Sequence, residues 1–488
     1  MPFSGKSLRK SMVLGGALLV LPLLCTQCAK QTEVPITSRS REARTLFVQA
    51  RVQGENLHLD TAMAKLSAAI ALDPDFALAY LYRARFTNDL VSLQRDLQQA
   101  VELSEEVSAG EQMIIKAYDA YYGQNDPDRA IEFYELLVKM YPEDKRTHFR
   151  LGVFYRILEE RDQAILQQRQ ALAIDENFAP SYLELGYISL FAESYAEAEE
   201  AFQSCIRLIP DQPNPYDSMG DLYSRMGKFE EAIAYYQQAL EKNPLFTDSQ
   251  LKIGTNLVFL GRYDEGREAV YKTIEMEPTI EGTVEDMGMI CRSYMYECRP
   301  EEALAEADNI IKIARDNNLM SQAALYELAK AAIYAEIRKY DAAEQSLQET
   351  RTILETAEMP SFYRESYSDM LHFWDAAVAA QQKNIPRALA IAARYMNTLR
   401  ESQNPERMKY HMGLLGYIEL QRDYPDIAAE YFRQADIQEP LFMYYAALAE
   451  NAGGSRARAT RLFRQLASWN TDSLWYAYIC KKALTRQE

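Results

Sequence analysis

Glycine is scarce in this chain, at 19 of 488 residues. Few glycines mean few turns of positive φ, which disfavours strand-rich folds and favours helices. Histidine is rarer still. His58, His148, His372 and His411 lie scattered, and none forms His-Glu-x-x-His or pairs with a cysteine at metal-ligand spacing. Also missing are the Gly-x-x-x-x-Gly-Lys-Ser/Thr phosphate loop, the Gly-x-Gly-x-x-Gly turn and the Gly-x-Ser-x-Gly elbow. With no nucleophile–base or metal constellation visible, the reading is a protein that is not an enzyme and uses no cofactor. Basic residues fall short of acidic ones, 53 against 71, for a net charge of −18. Such a surface offers a phosphate backbone no counterion-release term, so nucleic acid is not an expected partner. What remains is an acidic chain with 48% hydrophobic residues and 33 tyrosines, enough apolar material for a packed helical fold.

Long hydrophobic runs are absent but for one near the start. Lys6, Arg9 and Lys10 precede an apolar stretch from Ser11 to Leu24, about 14 residues where a bilayer span needs about 20. The stretch ends in Leu24-Cys25-Thr26-Gln27-Cys28, without a small-x-small cleavage site. This pattern resembles a bacterial lipoprotein signal, which implies lipidation at Cys28, with Cys25 as the alternative. A cleaved soluble form and an uncleaved anchor are the other readings, the short run arguing against the anchor. Residues 1–27 then form the signal and 28–42, polar with one proline, a flexible tether. The lack of Asp straight after Cys28 implies export to the periplasm and the outer membrane, on the same resemblance. Of the other cysteines, Cys205 reads as a buried small hydrophobe, and Cys291 and Cys298 are too far apart on one helix for a disulfide.

The strongest signal is internal repetition. Pro74, Pro142, Pro210, Pro244 and Pro278 are separated by 68, 68, 34 and 34 residues. Small residues keep that beat at Ala62, Ala130, Ala164, Ala198, Ala232 and Gly266, and again at Ala50, Ala84, Gly152, Gly186, Gly220, Gly254 and Gly288. The two series lie twelve residues apart, as two small residues must where a pair of helix backbones touches. In the clearest unit, from Pro213, Asn214 reads as a helix cap, Gly227 closes the first helix, and Tyr223 and Tyr236 fill the space beside Gly220 and Ala232. Tyr118 and Asp96 stand where small residues are expected, which makes the second unit the least regular. After Gly288 the beat slips, with Ala303 fifteen residues on and Arg299-Pro300 read as an enlarged turn. The twelve-residue pairs then return as Ala331/Ala343, Ala376/Ala388 and Gly416/Ala428.

These units resemble the tetratricopeptide repeat (TPR), with its W-x2-L-G-x2-Y…A-x3-F-x2-A…P pattern. The resemblance implies an all-α fold, an α-solenoid of about twelve helix pairs. Residues 43–280 form the regular array, 281–440 degenerate pairs, and 441–488 capping helices in which Trp469, Leu474, Trp475 and Tyr478 cover the open end. More narrowly, Ile36–Phe47, Asp73–Ala84 and Ile209–Leu222 are similar to exported bacterial TPR proteins. TPR arrays bind partners along an inner surface lined by fixed positions of each first helix. Position 5 here carries Phe47, Leu81, Ile115, Phe149, Leu183, Asp217 and Leu251, and position 9 includes Arg85, Tyr187 and Asp221. The lysine–asparagine clamp of chaperone-binding TPR domains is lacking. The surface is largely apolar, which suits a protein or peptide segment, unless the superhelix is tight enough to bury it. The expected function is a non-enzymatic interaction scaffold held to the envelope membrane by lipid. The alternative is a periplasmic lipoprotein that captures glycan or peptide.

Overall fold

The computed structural model describes residues 32–484 apart from 88–89, 125, 277–278, 402–405, 436–438 and 469–472. The signal segment, Cys28 with its alternative Cys25, Pro278 and Trp469 lie outside the described residues. The described residues fold as an α-solenoid of antiparallel helix pairs without strands. The first three pairs are α1 (Arg41–Glu55) with α2 (Leu59–Leu72), α3 (Ala77–Phe86) with α4 (Leu90–Glu102), and α5 (Ala109–Tyr118) with α6 (Pro127–Met140). Next come α7 (Lys145–Ile157) with α8 (Arg161–Ile174) and α9 (Ala179–Phe191) with α10 (Tyr195–Leu208). The regular series ends with α11 (Asn214–Arg225), α12 (Phe229–Lys242), α13 (Thr247–Phe259) and α14 (Tyr263–Met276). Three pairs of longer helices come after them: α15 (Ile280–Glu297) with α16 (Pro300–Asp316), α17 (Met320–Glu336) with α18 (Tyr340–Thr356), and α19 (Ser361–Gln381) with α20 (Ile385–Glu401). The chain closes with α21 (Glu406–Gln421), α22 (Pro425–Gln434), α23 (Pro440–Ala452), α24 (Arg456–Ala467) and an unpaired α25 (Leu474–Leu484).

The small-residue beat is the pair contact itself. A Cβ added to Gly254 would stand 2.9 Å from the Gly266 carbonyl, and one on Gly186 would meet the Phe202 ring at 2.2 Å. In the eighth pair the partner of Ala303 is Cys291, twelve residues earlier, whose Sγ lies 3.4 Å from the Ala303 carbonyl. Gly288 therefore does not hold that slot, and Arg299-Pro300 is not an enlarged turn. The added residues lengthen α15, and the turn stays short, with Cys298 at φ 62°. Burial pushes the thiols of both Cys205 and Cys291 up to about 12, as befits packed, unreactive side chains. Where Tyr118 replaces a small residue, α5 widens into a single π turn, with Gln124 N–H donating to the Asp119 carbonyl five residues back. The bulky ring cannot sit at a close backbone crossing, and a wider turn shifts the register of the residues after it. Asp96, in the other irregular slot, is buried and held bidentate by Arg83 at 2.5 and 2.8 Å.

Three further expectations are corrected. The scarcity of glycine does not mean few turns of positive φ. Gly227, Gly261 and Gly454 take it at their turns, and so do Leu57, Glu159, Glu193 and others that carry side chains. Backbone bonds hold these residues there, as when Glu193 N–H donates to Leu190 O and Ser194 N–H to Ser189 O. Asn214 is not a cap but the first residue of α11, preceded by Pro213. The stretch read as tether is docked from Glu33 onward. Val34 N–H donates to Asp144 Oδ2 (3.0 Å), Thr37 N–H to Glu111 Oε1 (2.7 Å) and Arg39 N–H to Asp73 Oδ2 (2.7 Å). An extended segment thus laces the starts of three successive pairs, its donors satisfied by buried carboxylates.

The cores follow this layout. One apolar cluster runs from Val34 to Ile188 and another from Val258 to Ile479, with only small clusters between. Helix α25 does not cover an open end. It packs against α15 and α23, with Trp475 5.6 Å from the Trp374 ring and Tyr478 donating to Glu336 Oε2 at 2.8 Å.

Candidate functional site

Two cavities among the described residues take up the expected inner positions. The position-5 residues of the first three pairs do not reach either. Phe47, Leu81 and Ile115 are fully buried, with the Phe47 ring 5.0 Å from the rings of both Phe76 and Tyr82. At these positions the superhelix is tight, and the apolar side chains pack against the neighbouring pair. The open-groove expectation is corrected there.

The first cavity, of about 290 Å³, is enclosed by α1, α3, α7 and α9, and Arg85, Phe149 and Leu183 line it. Sequence reasoning missed two of its principal side chains, Arg146 and Arg150. Arg146 is the second residue of α7 and Arg150 the sixth, next to the expected Phe149, so the nearest signal was that neighbouring position. The cavity is closed by a long-range contact. Leu57, at the turn after α1, packs with Ala179, Cys205 and Ile209, and Gln212 Nε2 donates to His58 Nδ1 at 3.0 Å. The turn of the first pair therefore meets the fifth pair. Arg146 pairs with Glu55 across the interior (Nη2 to Oε2, 3.1 Å), while Glu184 is held by Arg156 at 2.6 Å.

The second cavity, of about 360 Å³, lies on α9, α11 and α13 and gathers Tyr187, Asp221 and Leu251 from the expected set. Asp217 is buried beneath it. Lys252, which sequence reasoning did not single out, joins them: its Nζ donates to Asp217 Oδ2 (2.6 Å) and sits 2.8 Å from Asp221 Oδ1. Ser249 Oγ donates to Asp217 Oδ1 (2.7 Å) and Tyr236 OH to Asp221 Oδ1 (2.9 Å). Two carboxylates thus share one ammonium in a desolvated place. Burial, chiefly, pushes Asp217 up to about 6, with Lys252 pulling it back and Asp221 adding to the rise. Leu251 is half-buried at the rim, and beside it Phe191 is 68% exposed. A large aromatic side chain left open above a charged floor is an available contact surface.

Neither cavity assembles a metal site, and no group of His, Cys, Asp and Glu able to hold an ion occurs among the described residues. His148 is packed, its ring nitrogens 2.8 Å from Gln167 Oε1 and 3.0 Å from the Pro142 carbonyl. No helix of the described residues is long and apolar enough to cross a membrane.

Two family models described as tetratricopeptide repeat match this chain, one over residues 178–242 and the other over 116–179 and 218–278. The chain carries tetratricopeptide repeats. It is 31% identical over 96 residues to the small glutamine-rich tetratricopeptide repeat-containing protein 2 of Mycosarcoma maydis, which covers 20% of this chain and 27% of that protein. It is 21% identical over 250 residues to the Hsp70-Hsp90 organizing protein 2 of Arabidopsis thaliana, covering 50% of this chain and 43% of the relative. The chain therefore spans less than half the length of each of these relatives. Among solved structures it resembles a tetratricopeptide repeat protein from Parabacteroides merdae, 17% identical, with a TM-score of 0.37 over 51% of this chain and 99% of that one. The TPR matches fall on the middle of the regular array, where the 34-residue beat is cleanest and both cavities have walls.

Proposed function

We propose that this TPR protein is a non-enzymatic interaction scaffold that receives a protein or peptide segment on the inner surface of its fifth to seventh repeats. TPR proteins mediate protein–protein interaction. The observation that carries the reading here is the second cavity, where Leu251 and Phe191 stay accessible above the Lys252–Asp217–Asp221 cluster. An apolar rim around fixed charges gives a bound segment both area and register. Crosslinking in intact cells, with identification of the captured protein, tests it. Leu251→Asp is expected to reduce capture at a nearly unchanged melting temperature, because its side chain is only half-buried at the cavity rim. Glu230→Lys with Glu231→Lys, on the exposed face of α12, is expected to change neither. Lost stability in the leucine variant would make that residue core and remove the site.

The scaffold is proposed to be exported and tethered by lipid at Cys28 to the periplasmic face of the outer membrane, on the basic, apolar and cysteine order of the first 28 residues. Cells fed labelled fatty acid should label the protein, and Cys28→Ser should abolish this. Label lost only in Cys25→Ser would move the anchor, and label unaffected by either change would end the lipoprotein reading.

A further inference from the structure

The first cavity carries an excess of positive charge that the fold does not use. Of the four arginines on its walls, Arg146 has Glu55 as its partner. Arg51 is only 8% exposed, and its nearest carboxylate is Glu33 at 3.8 Å. Arg85 and Arg150 have no carboxylate partner among the described residues, and the buried Nε atoms of Arg51, Arg85 and Arg150 have no hydrogen-bond partner there. What holds these two guanidinium groups is aromatic. Arg85 lies 4.3 Å from the centre of the Tyr82 ring and 5.2 Å from Tyr118, and Arg150 lies 5.0 Å from Phe149 and 6.0 Å from Tyr118. Both therefore stand beside the Tyr118 ring and line the same cavity. Arg85 also meets the Tyr82 and Tyr118 hydroxyls, but the buried Nε donors stay without an acceptor, which is costly. In a chain of net charge −18, such a cluster is not a general property of the surface.

We propose that this cavity is a binding site for a carboxylate carried on an aromatic or apolar body. The anion is received by Arg85 and Arg150, and the body lies against Tyr82, Phe86 and Phe178. The chain shows the same recognition at the rim, where its own Glu33 carboxylate stands 3.5 Å from Arg146 and 3.8 Å from Arg51. The size of the space sets the ligand's form. A volume of about 290 Å³, bounded on one side by the Leu57–Ile209 contact, has no room for a helix about 10 Å across. It admits a small organic acid, or one acidic residue with its apolar neighbour. Arginine suits this role because its planar fork matches a carboxylate with two parallel hydrogen bonds.

Phenylacetate and a short peptide ending in Phe-Glu are the two probes, titrated by calorimetry into the full-length protein, with phenylacetamide as the uncharged control. Saturable binding of phenylacetate, at least tenfold tighter than the amide and weakened at least tenfold by Arg85→Gln or Arg150→Gln, is the expected result. Protection of Arg85 and Arg150 from phenylglyoxal, located by mass spectrometry on the unaltered protein, is expected in parallel and does not depend on the variants folding. Binding of the free acid alone assigns the site to small acids, and binding of the peptide alone to an acidic segment. Neither probe binding, the amide binding equally well, or the arginines staying unprotected would overturn the proposal.

Discussion

The contact between Gly220 and Tyr236 can be tested by adding one carbon atom. A Cβ at residue 220 would lie 2.4, 2.6 and 2.7 Å from three carbons of the Tyr236 ring, more than about 1 Å inside ordinary contact. The ring cannot step aside easily. It is 1% exposed, and its hydroxyl donates to Asp221, which also faces Lys252. Overpacking of this kind costs about 1–3 kcal/mol, and the pinned ring argues for the upper end. Alanine returns about 1 kcal/mol of helix propensity, so Gly220→Ala should destabilise by about 2 kcal/mol. Removing the ring reverses the sign. In a Tyr236→Leu background the added methyl has space, and the same change should stabilise by about 1 kcal/mol. The coupling of about 3 kcal/mol is at the top of the range for touching residues. Because an array can unfold in steps, the measurement is hydrogen exchange of the α11 and α12 amides, alongside circular dichroism in urea. A stabilising Gly220→Ala in the unaltered background, or an equal effect in both backgrounds, would refute close approach as the reason for glycine.

Three more outcomes are expected. Asp96→Ala should cost about 3 kcal/mol in urea denaturation by stranding Arg83, and adding Arg83→Leu should recover most of that, because alanine is the residue the repeat otherwise places there. Asp217 binds its proton more tightly folded (about 6) than unfolded (about 4), so its contribution is fully present below about pH 4 and lost as pH rises through 6. Asp217→Asn should therefore remove about 2 kcal/mol from the difference between urea-derived stabilities at about pH 4.5 and about pH 7. Trp475→Ala should cost about 3–5 kcal/mol by thermal melting and leave Trp374 with red-shifted fluorescence, since α25 covers it.

Much of the fold was legible because its determinants are local. Gly186, Gly220, Ala232 and Gly254 are small where two neighbouring helices touch, and that requirement returns every 34 residues whatever the rest of the chain does. First helices accordingly begin at multiples of 34 residues from one another, at Ala77, Lys145, Ala179 and Thr247. The reading failed where the requirement could be met in another way. Cys291 is small enough to replace glycine, and a lengthened α15 moved it out of phase. Glu159 and Glu193 were invisible as positive-φ turns, because backbone bonds rather than glycine hold them.

The site was less legible, and the position-5 series shows why. Phe47, Leu81, Leu183 and Leu251 look equivalent in sequence, yet the first two are core and the last two line cavities. By itself the sequence determined that helices pair, which faces pair, and that first helices share an inner side. Only the tertiary structure decided the curvature, because small rotations between successive pairs accumulate until Leu57 meets Ile209 and Arg51, Arg85 and Arg150 surround one space. It also decided what fills the curve. The docked Glu33–Arg39 segment and α25 reach their places across long stretches of chain, and no repeat period encodes contacts between residues so far apart.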